Sequence, residues 1–486
     1  MAETQAAAKL GEFGAIVAGE TLRAGLAAIE VRSPFDGALV AVARNAGPAQ
    51  IERAIAAAAA AFARTRVLPS WKRAAVLETV ARQLEQRRDE LATIIALEAG
   101  KPIRTARLEV DRAAFTFKVG AEEARRIHGE ILALDWLPGT EGREGHVRRV
   151  PLGPIAGITP FNFPLLLVAH KMAPAIAAGN PIIIKPAPRT PISALVLGRI
   201  VLDAGWPAEA VSVFPCSIED SARLVEDERI RLLTFTGSAA VGWALKARAG
   251  RKRVTLELGG NAAVIVHRDA DVAYAAERVA FAGYSYAGQS CISAQRIYVH
   301  DDIYDTFVPD LVRRVNALKS GDPLGEDIDV GPVIDAGAAE RIGDWIEEAV
   351  GAGASVLAGG TREGPVWRPT VVGGAPANVR VNCAEVFGPL VSLTRYTDVH
   401  EAIRTANAGD FGLQAGIFTH DERVINAAID GIEAGGIMIN DTSTFRVDHM
   451  PYGGVKQSGF GREGLRYAIE EMTEMKLVVY NRRPTA

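Results

Sequence analysis

Cysteine is scarce. The 486-residue chain holds three, Cys216, Cys291 and Cys383, with no paired or metal-like spacing. So sparse a set offers no disulfide framework and fits a reducing cytoplasm, where a free thiolate can work. Histidine is also rare, at eight residues, and neither His-x-x-x-His nor Cys-x-x-Cys occurs, so no metal site is expected. Charge of one sign is missing too. The 54 basic and 58 acidic side chains leave a net charge of −4, which argues against a nucleic-acid partner and against an acidic disordered tail. No stretch reaches the roughly 18 uninterrupted apolar residues of a membrane helix. Met1 to Leu10 is short and nearly neutral and lacks the apolar centre of a signal peptide. What remains is an ordinary globular composition, 48% hydrophobic and 23% charged, long enough for two or three domains with sizeable cores.

Residues 49–98 carry a helical pattern, with apolar side chains at helical spacing and charges between them. From about residue 150 short apolar strands alternate with helices. Strands are expected over 155–159, 182–185, 211–214 and 232–236, with helices over 164–178 and 191–204 and from Ser238. A second set follows Glu257: a strand over 262–266, a helix over 272–286, a strand over 296–299 and a helix over 303–318. The glycine-rich run 351–360 reads as a turn region. Alternation of this kind implies an α/β fold whose parallel sheets are covered on both faces. Two stretches fit neither unit. Residues 129–150 are rich in charge and glycine with short strand-like pieces. Lys476-Leu477-Val478-Val479-Tyr480 is a lone apolar strand, whose bare edge invites pairing with another chain.

Cys291 lies in Gly288-Gln289-Ser290-Cys291. A free cysteine is most often a buried core residue. The glycine, the polar neighbours and the helix-to-strand junction argue instead for an exposed nucleophile; Cys216 and Cys383 keep the core reading. Glu257, in Leu256-Glu257-Leu258-Gly259-Gly260-Asn261, interrupts an apolar run from Val254 to Ile265, where a charge is costly without a role or a partner. In a partly apolar site its pKa rises, which makes it a better base near neutral pH. Asn162, in Thr159-Pro160-Phe161-Asn162-Phe163-Pro164, reads by default as a turn asparagine. Gly237-Ser238-Ala239-Ala240-Val241-Gly242 follows a strand and opens a helix, where N–H groups and the helix dipole can face a pyrophosphate. Its G-x-x-x-x-G spacing alone is a weak signal.

The combined pattern resembles the aldehyde dehydrogenase superfamily along nearly the whole chain. The resemblance implies two doubly wound parallel-sheet domains, a Rossmann-like cofactor domain over 1–125 and 150–256 and a catalytic domain over 257–452. It also implies a small β oligomerisation flap over 126–149 and 472–486, and hence a homo-oligomer, dimer or tetramer. In the implied chemistry Cys291 attacks an aldehyde, and Asn162 with the Cys291 N–H holds the oxyanion. Hydride then passes to a nicotinamide, and Glu257 drives water onto the thioester. Cofactor contacts carried over by the resemblance are Ile158, Thr159, Pro160, Phe161, Gly237, Ser238 and Leu258. Lys185 is expected at the adenosine ribose, and Glu385 and Phe387, in Glu385-Val386-Phe387-Gly388-Pro389, at the nicotinamide ribose. Many NAD-preferring members carry glutamate where this chain has Pro188, and Arg189 is next to it, so the cofactor is NAD or NADP.

Within the superfamily, Arg446-Val447-Asp448-His449-Met450-Pro451-Tyr452-Gly453-Gly454 resembles the branch of lactaldehyde and phosphonoacetaldehyde dehydrogenases. The implied substrate passage is lined by Phe163, Leu167, His170, Ser290, Ile292, Phe445, Arg446 and Tyr452. Arg446 can pair with a carboxylate or phosphonate, or it can tie down its loop through backbone carbonyls or Asp448. Ser290 leaves no second cation beside the nucleophile, which favours hydroxy- or carboxy-aldehydes over phosphonates, with aromatic aldehydes as the alternative. Two rivals stand beside this reading. One is a CoA-acylating semialdehyde dehydrogenase, a branch that generally lacks the glutamate that Glu257 supplies; the other is a non-catalytic protein on the same fold.

Overall fold

A computed structural model describes residues 9–482. The expectation for Met1 to Leu10 therefore falls largely outside the described residues.

Two sheets organise the chain. The first has eight strands. Five are parallel neighbours, in the order Arg253–Glu257, Leu232–Thr236, Ile155–Ile158, Ile182–Lys185, Val211–Val213. Gly459–Phe460 adds an antiparallel edge at one end, and Ala15–Val17 with Glu20–Leu22 extends the other. The strands are almost wholly buried and read as continuous apolar runs, because helices cover the sheet faces. The helices Ser70–Gln86, Arg88–Ala99, Ile103–Arg126 and Leu166–Ala178 bury an aliphatic core with side chains such as Leu77, Leu84, Leu91 and Phe117. Each such side chain contributes about 1.5–3 kcal/mol by leaving water.

Chain direction reverses within this sheet. Ile155–Ile158 leads outward through Ile182–Lys185 to Val211–Val213, and the chain then returns to place Leu232–Thr236 on its other side. Ligands bind in the crevice outside the carboxyl ends of the strands at such a switch point. Those carboxyl ends carry Thr159 to Asn162, Gly237 with Ser238, and Glu257.

The second sheet has seven strands, in the order Ser355–Ala358, Thr370–Gly373, Leu390–Tyr396, Ala294–His300, Ala262–Val266, Gln414–Phe418, Gly436–Ile439. Only the first pair is antiparallel. Cys291 immediately precedes Ala294–His300, and Glu385 precedes Leu390–Tyr396, so both sit at the amino ends of their strands. Residues 258–261 join Glu257 of the first sheet directly to Ala262 of the second.

Three expectations change. The 351–360 run is not all turn, since Ser355–Ala358 is an edge strand of the second sheet. The helix expected through residue 286 stops at Tyr284, and Tyr286, Ala287 and Gly288 turn left-handed with φ of 51°, 52° and 66°. Packing overrides helical propensity here: the Tyr286 ring is buried and its hydroxyl donates to the Ala99 carbonyl at 2.8 Å. The C-terminal strand is not lone. Thr473–Asn481 pairs antiparallel with Arg143–Pro151, which pairs with Glu130–Ala133. This three-stranded sheet leaves Ile131, Leu477, Val479 and Tyr480 exposed. Among the described residues no helix is long and apolar enough to cross a membrane.

A fully buried ion pair braces the crevice. Lys101 bonds Glu109, whose other oxygen accepts the Leu165 and Leu166 N–H groups at 3.0 and 3.1 Å. The Lys101 ammonium also lies 3.5 Å from the centre of the Phe163 ring and 4.4 Å from that of Tyr286. One cation thus touches both the segment after Asn162 and the turn before Cys291. Replacing Glu109 by alanine leaves the ammonium and two N–H groups buried without partners, a cost of about 3–5 kcal/mol. Glu109→Ala should lower the melting temperature by roughly 5 °C or more, measured by calorimetry; an unchanged transition would show that the pair does not brace the fold.

Candidate active site

A cavity of about 290 Å³ opens where the two sheets meet. From the first sheet Pro160, Phe161, Asn162, Gly237, Ser238, Glu257 and Leu258 line it. Ser290, Cys291, Ile292, Glu385 and Phe387 face them, and Phe163, Leu167, Arg446 and Tyr452 complete the wall. The rings of Phe161 and Phe387 meet edge to face at 5.8 Å. Phe387 takes φ of 48°, an uncommon value for a bulky side chain.

The neck between the sheets is tight. A Cβ on Gly259 would lie 2.5 Å from the Glu385 carboxylate, and one on Gly260 would lie 2.2 Å from the Cys291 carbonyl. Without side chains at these positions, Glu385 accepts the Gly260 N–H at 2.8 Å. Gln295 steadies the Glu385 loop, donating to the Val381 and Ala384 carbonyls and accepting the Val386 N–H. Gln289 anchors the turn before Cys291 by accepting the Ile334 N–H at 2.8 Å. The Asn162 amide donates to the Gln289 carbonyl at 3.0 Å, and its own oxygen has no partner.

Glu257 is buried, and neither of its oxygens is hydrogen-bonded. Burial and the nearby charge of Glu463 push its pKa well above the usual carboxylate range, against the pull of Arg446 and Lys171. Glu463 goes the other way. Burial opposes its charge, but Lys171, His170 and Arg446 outweigh burial and hold it well below that range. Of these two buried carboxyls, therefore, Glu463 ionises the more readily and Glu257 holds its proton the longer as pH rises. Burial raises Glu385 to about 7, against its bond from Gly260. Burial likewise raises the Cys291 thiol to about 11, opposed by the Tyr452 hydroxyl at 3.1 Å and by Arg446.

Several expected site residues sit elsewhere. Ile158 and Thr159 are buried behind the cavity, with the Thr159 N–H on the Lys185 carbonyl at 3.1 Å. Lys185 is buried away from the cavity, and Pro188 is exposed. Arg189, beside Pro188, forms an ion pair with Asp335 at 2.9 Å. Two expected passage residues do not line the cavity. Phe445 points to solvent at 45% exposure. His170 lies one turn beyond Leu166 and Leu167 in a helix buried all round, where it bonds Asp448 at 2.9 Å and Arg446 at 3.2 Å.

Arg446 does not tie its loop to Asp448. That carboxylate is taken by Arg112, in a two-pronged contact at 2.7 and 3.1 Å, and by His170. Arg446 instead pairs with Glu463 at 3.2 Å and lies over the Tyr452 ring, 3.4 Å from its centre. Its buried Nε has no partner. A second cation, Arg112 from the helix Ile103–Arg126, lines the cavity with Arg446, its guanidinium held by Asp448. Arg112, Leu166 and Glu463 are cavity residues that sequence reasoning missed. Arg112 lies far along the chain from the motifs, one charge among many on a helical face, and nothing in its neighbourhood singles it out.

The amino end of the helix Ala239–Arg248 is open to a ligand. Its N-cap Ser238 makes no side-chain cap, and both Gly237 and Ser238 line the cavity. Unpaired N–H groups at a helix start suit a phosphate, and the Glu385 carboxylate suits sugar hydroxyls. The donor set fits a dinucleotide. Among the described residues no group of three or more His, Cys, Asp or Glu side chains gathers as metal ligands.

The sequence pattern of the aldehyde dehydrogenase family matches residues 22–478. The 3-sulfolactaldehyde dehydrogenase of Priestia aryabhattai is 45% identical over 432 residues, 89% of this chain and 90% of that protein. Among solved structures, aldehyde dehydrogenase 21 from Physcomitrella patens in complex with its reaction product succinate superposes with a TM-score of 0.95 at 43% identity, covering 97% of this chain and 98% of that one. A glyceraldehyde-3-phosphate dehydrogenase from Methanocaldococcus jannaschii complexed with NADP superposes with a TM-score of 0.90 at 35% identity, covering 93% and 99%.

The raised pKa of Glu257 has a consequence for stability. The folded state keeps this proton above about pH 4.3, where the unfolded carboxyl has lost it, so the native state binds more protons and stability falls as pH rises. Glutamine removes that dependence. The melting temperature of Glu257→Gln should rise relative to wild type between pH 5 and pH 8, read by scanning fluorimetry at matched ionic strength. A constant difference across that range would mean that Glu257 is ionised in the fold.

Proposed function

The chain belongs to the aldehyde dehydrogenase family and is an NAD(P)-dependent aldehyde dehydrogenase, and we propose that it oxidises a small anionic aldehyde with Cys291 as the nucleophile. One observation carries the substrate class. The buried guanidinium of Arg446 lies over one face of a tyrosine ring whose hydroxyl touches the Cys291 sulfur, and its Nε is unanswered. Arg112 adds a second, partly exposed guanidinium to the same wall. Two cations lining the cavity that holds the nucleophile suit an acid group carried a short way from the carbonyl. Sulfolactaldehyde and succinate, named for the Priestia aryabhattai and Physcomitrella patens relatives, share that form.

In this reading the Cys291 thiolate forms a C–S bond to the aldehyde carbon. The Asn162 amide leaves the Gln289 carbonyl and donates to the new alkoxide, a contact whose loss costs about 10²–10³ in rate. A nicotinamide dinucleotide supplies the hydride acceptor. Ser238 and the first turn of the helix Ala239–Arg248 would hold its pyrophosphate, Glu385 would hold sugar hydroxyls, and Phe161 and Phe387 would flank the ring, while the Gly237 N–H is spent on the Glu257 carbonyl at 3.1 Å. Glu257, once it has lost its proton, takes one from water, the hydroxide attacks the thioester, and the C–S bond breaks with its electron pair returning to sulfur. Burial keeps Glu257 basic enough for this task. With Pro188 in place of a carboxylate, the chain accepts both NAD and NADP.

The flap supports a homo-oligomer, dimer or tetramer, because exposed Leu477, Val479 and Tyr480 lie on a sheet with open edges; a monomer by light scattering would oppose this. A working free thiol and few cysteines support a cytoplasmic setting.

The test is a panel of kcat/KM values, with NAD and with NADP, for 3-sulfolactaldehyde, succinic semialdehyde, lactaldehyde, benzaldehyde and hexanal. The anionic substrates should lead. Arg112→Met should cost them roughly 10- to 100-fold while sparing hexanal, and Arg446→Met, which also removes a cation acting on the Cys291 sulfur, should slow every substrate but the anionic ones most. Cys291→Ala should abolish turnover with every substrate and leave cofactor binding intact. A wild-type preference for hexanal, or an equal loss across the panel in the arginine variants, would reject the anionic class.

A further inference from the structure

We propose that Tyr452 is a further catalytic residue, whose phenol O–H donates a hydrogen bond to the Cys291 sulfur whenever that sulfur carries charge. The inference rests on Cys291 being the nucleophile. Tyr452 is 3% exposed, and its hydroxyl lies 3.1 Å from Sγ. Its backbone is fixed to Glu463 by reciprocal bonds of 3.0 and 2.7 Å. Ile292 and Leu413 pack with it in a small apolar cluster that includes the Cys291 side chain. Arg446 covers one face of the ring at 3.4 Å. The hydroxyl is therefore aimed, not merely near.

A neutral thiol is a weak acceptor, and a buried hydroxyl that met only such a partner would be poorly satisfied. A thiolate is a strong one, and hydrogen bonds to ionised groups are about twice as strong as neutral ones. The contact thus strengthens when sulfur ionises and lowers the cost of doing so. The guanidinium on the ring face draws electron density from the phenol and improves it as a donor. Burial and the neighbouring sulfur push the phenol's own ionisation well above its ordinary value, so it stays protonated throughout.

No proton leaves Tyr452 in this scheme. The thiol proton goes to solvent, and the phenol holds the resulting thiolate. When the C–S bond forms, the charge is consumed and the bond relaxes. When the thioester is hydrolysed, the C–S bond breaks, the electron pair returns to sulfur, and the same O–H receives it. The other charged groups facing the sulfur act in both directions. Glu257 and Glu385 raise its pKa, and Arg446 lowers it, while Arg112 and Glu463 line the same cavity.

The experiment measures the rate of Cys291 alkylation by iodoacetamide against pH in the full-length protein, with peptide mass spectrometry to separate Cys291 from exposed Cys383. Tyr452→Phe keeps the ring and its contact with Arg446 and removes one oxygen. The alkylation midpoint should move up by about one pH unit, the scale of one charge-assisted hydrogen bond. The value of kcat/KM should fall roughly 10-fold for charged and uncharged aldehydes alike, unlike the selective loss in Arg112→Met. Should Tyr452→Phe fold poorly, 3-fluorotyrosine at position 452, a stronger donor of the same shape, should move the midpoint down. An unchanged midpoint in either protein overturns the proposal. Turnover retained in Cys291→Ala would instead overturn the nucleophile reading, which the alkylation profile does not test.

Discussion

The site depends on how closely the backbone passes at Gly259 and Gly260. These residues join the last parallel strand of the first sheet to a central strand of the second. They also run against Glu385 and the Cys291 carbonyl, at distances that leave no room for a Cβ. The carboxyl ends of one sheet and the amino ends of the other are thereby pressed together. Glu257 and Cys291, which belong to different sheets, then share one cavity. A side chain at either glycine would separate them or displace Glu385, and close approach of this kind is a standing reason for glycine.

Around that neck the protein buries charges that are expensive to keep. Arg112, Asp448, His170, Arg446, Glu463 and Lys171 form a connected chain of ion pairs and hydrogen bonds with little solvent. Lys171 completes its bonding on the hydroxyls of Thr234 and Thr236. Buried pairs of this sort are weak contributors to stability but strongly destabilising when one partner is lost. Their effect here is electrostatic. By favouring the ionised form of Glu463 they push the pKa of the adjacent Glu257 up, and they hold Arg112 and Arg446 in the lining of the cavity that contains the thiol. A second buried pair, Lys101 with Glu109, positions the Asn162 segment and the left-handed turn before Cys291.

Much of this was legible in the chain. Strand–helix alternation announced two parallel sheets because buried strands read as unbroken apolar runs. Glu257 stood out as a charge inside such a run, and Cys291 as a thiol among polar neighbours. Other features were not legible. Tyr286 falls in an apparently continuous helical pattern, and only its contact with the Ala99 carbonyl explains why the helix stops. The family resemblance implies His170 as a wall residue, yet it bonds Asp448 and Arg446 and does not line the cavity. Arg112 and Glu463 become site residues through partners hundreds of positions away or on a separate loop.

The sequence by itself determined the fold class, through local periodicity, and the family, through short motifs, and that family resemblance is what puts forward the nucleophile, base and amide proposed here. Tertiary structure alone decided which charges surround the sulfur. It set Arg112 and Arg446 in the lining of one cavity, pushed the Glu257 pKa up and the Glu463 pKa down, and aimed the Tyr452 hydroxyl at Cys291. The physical reason is that burial and distance control ionisation and hydrogen bonding, and both are properties of the packed chain, not of any segment within it.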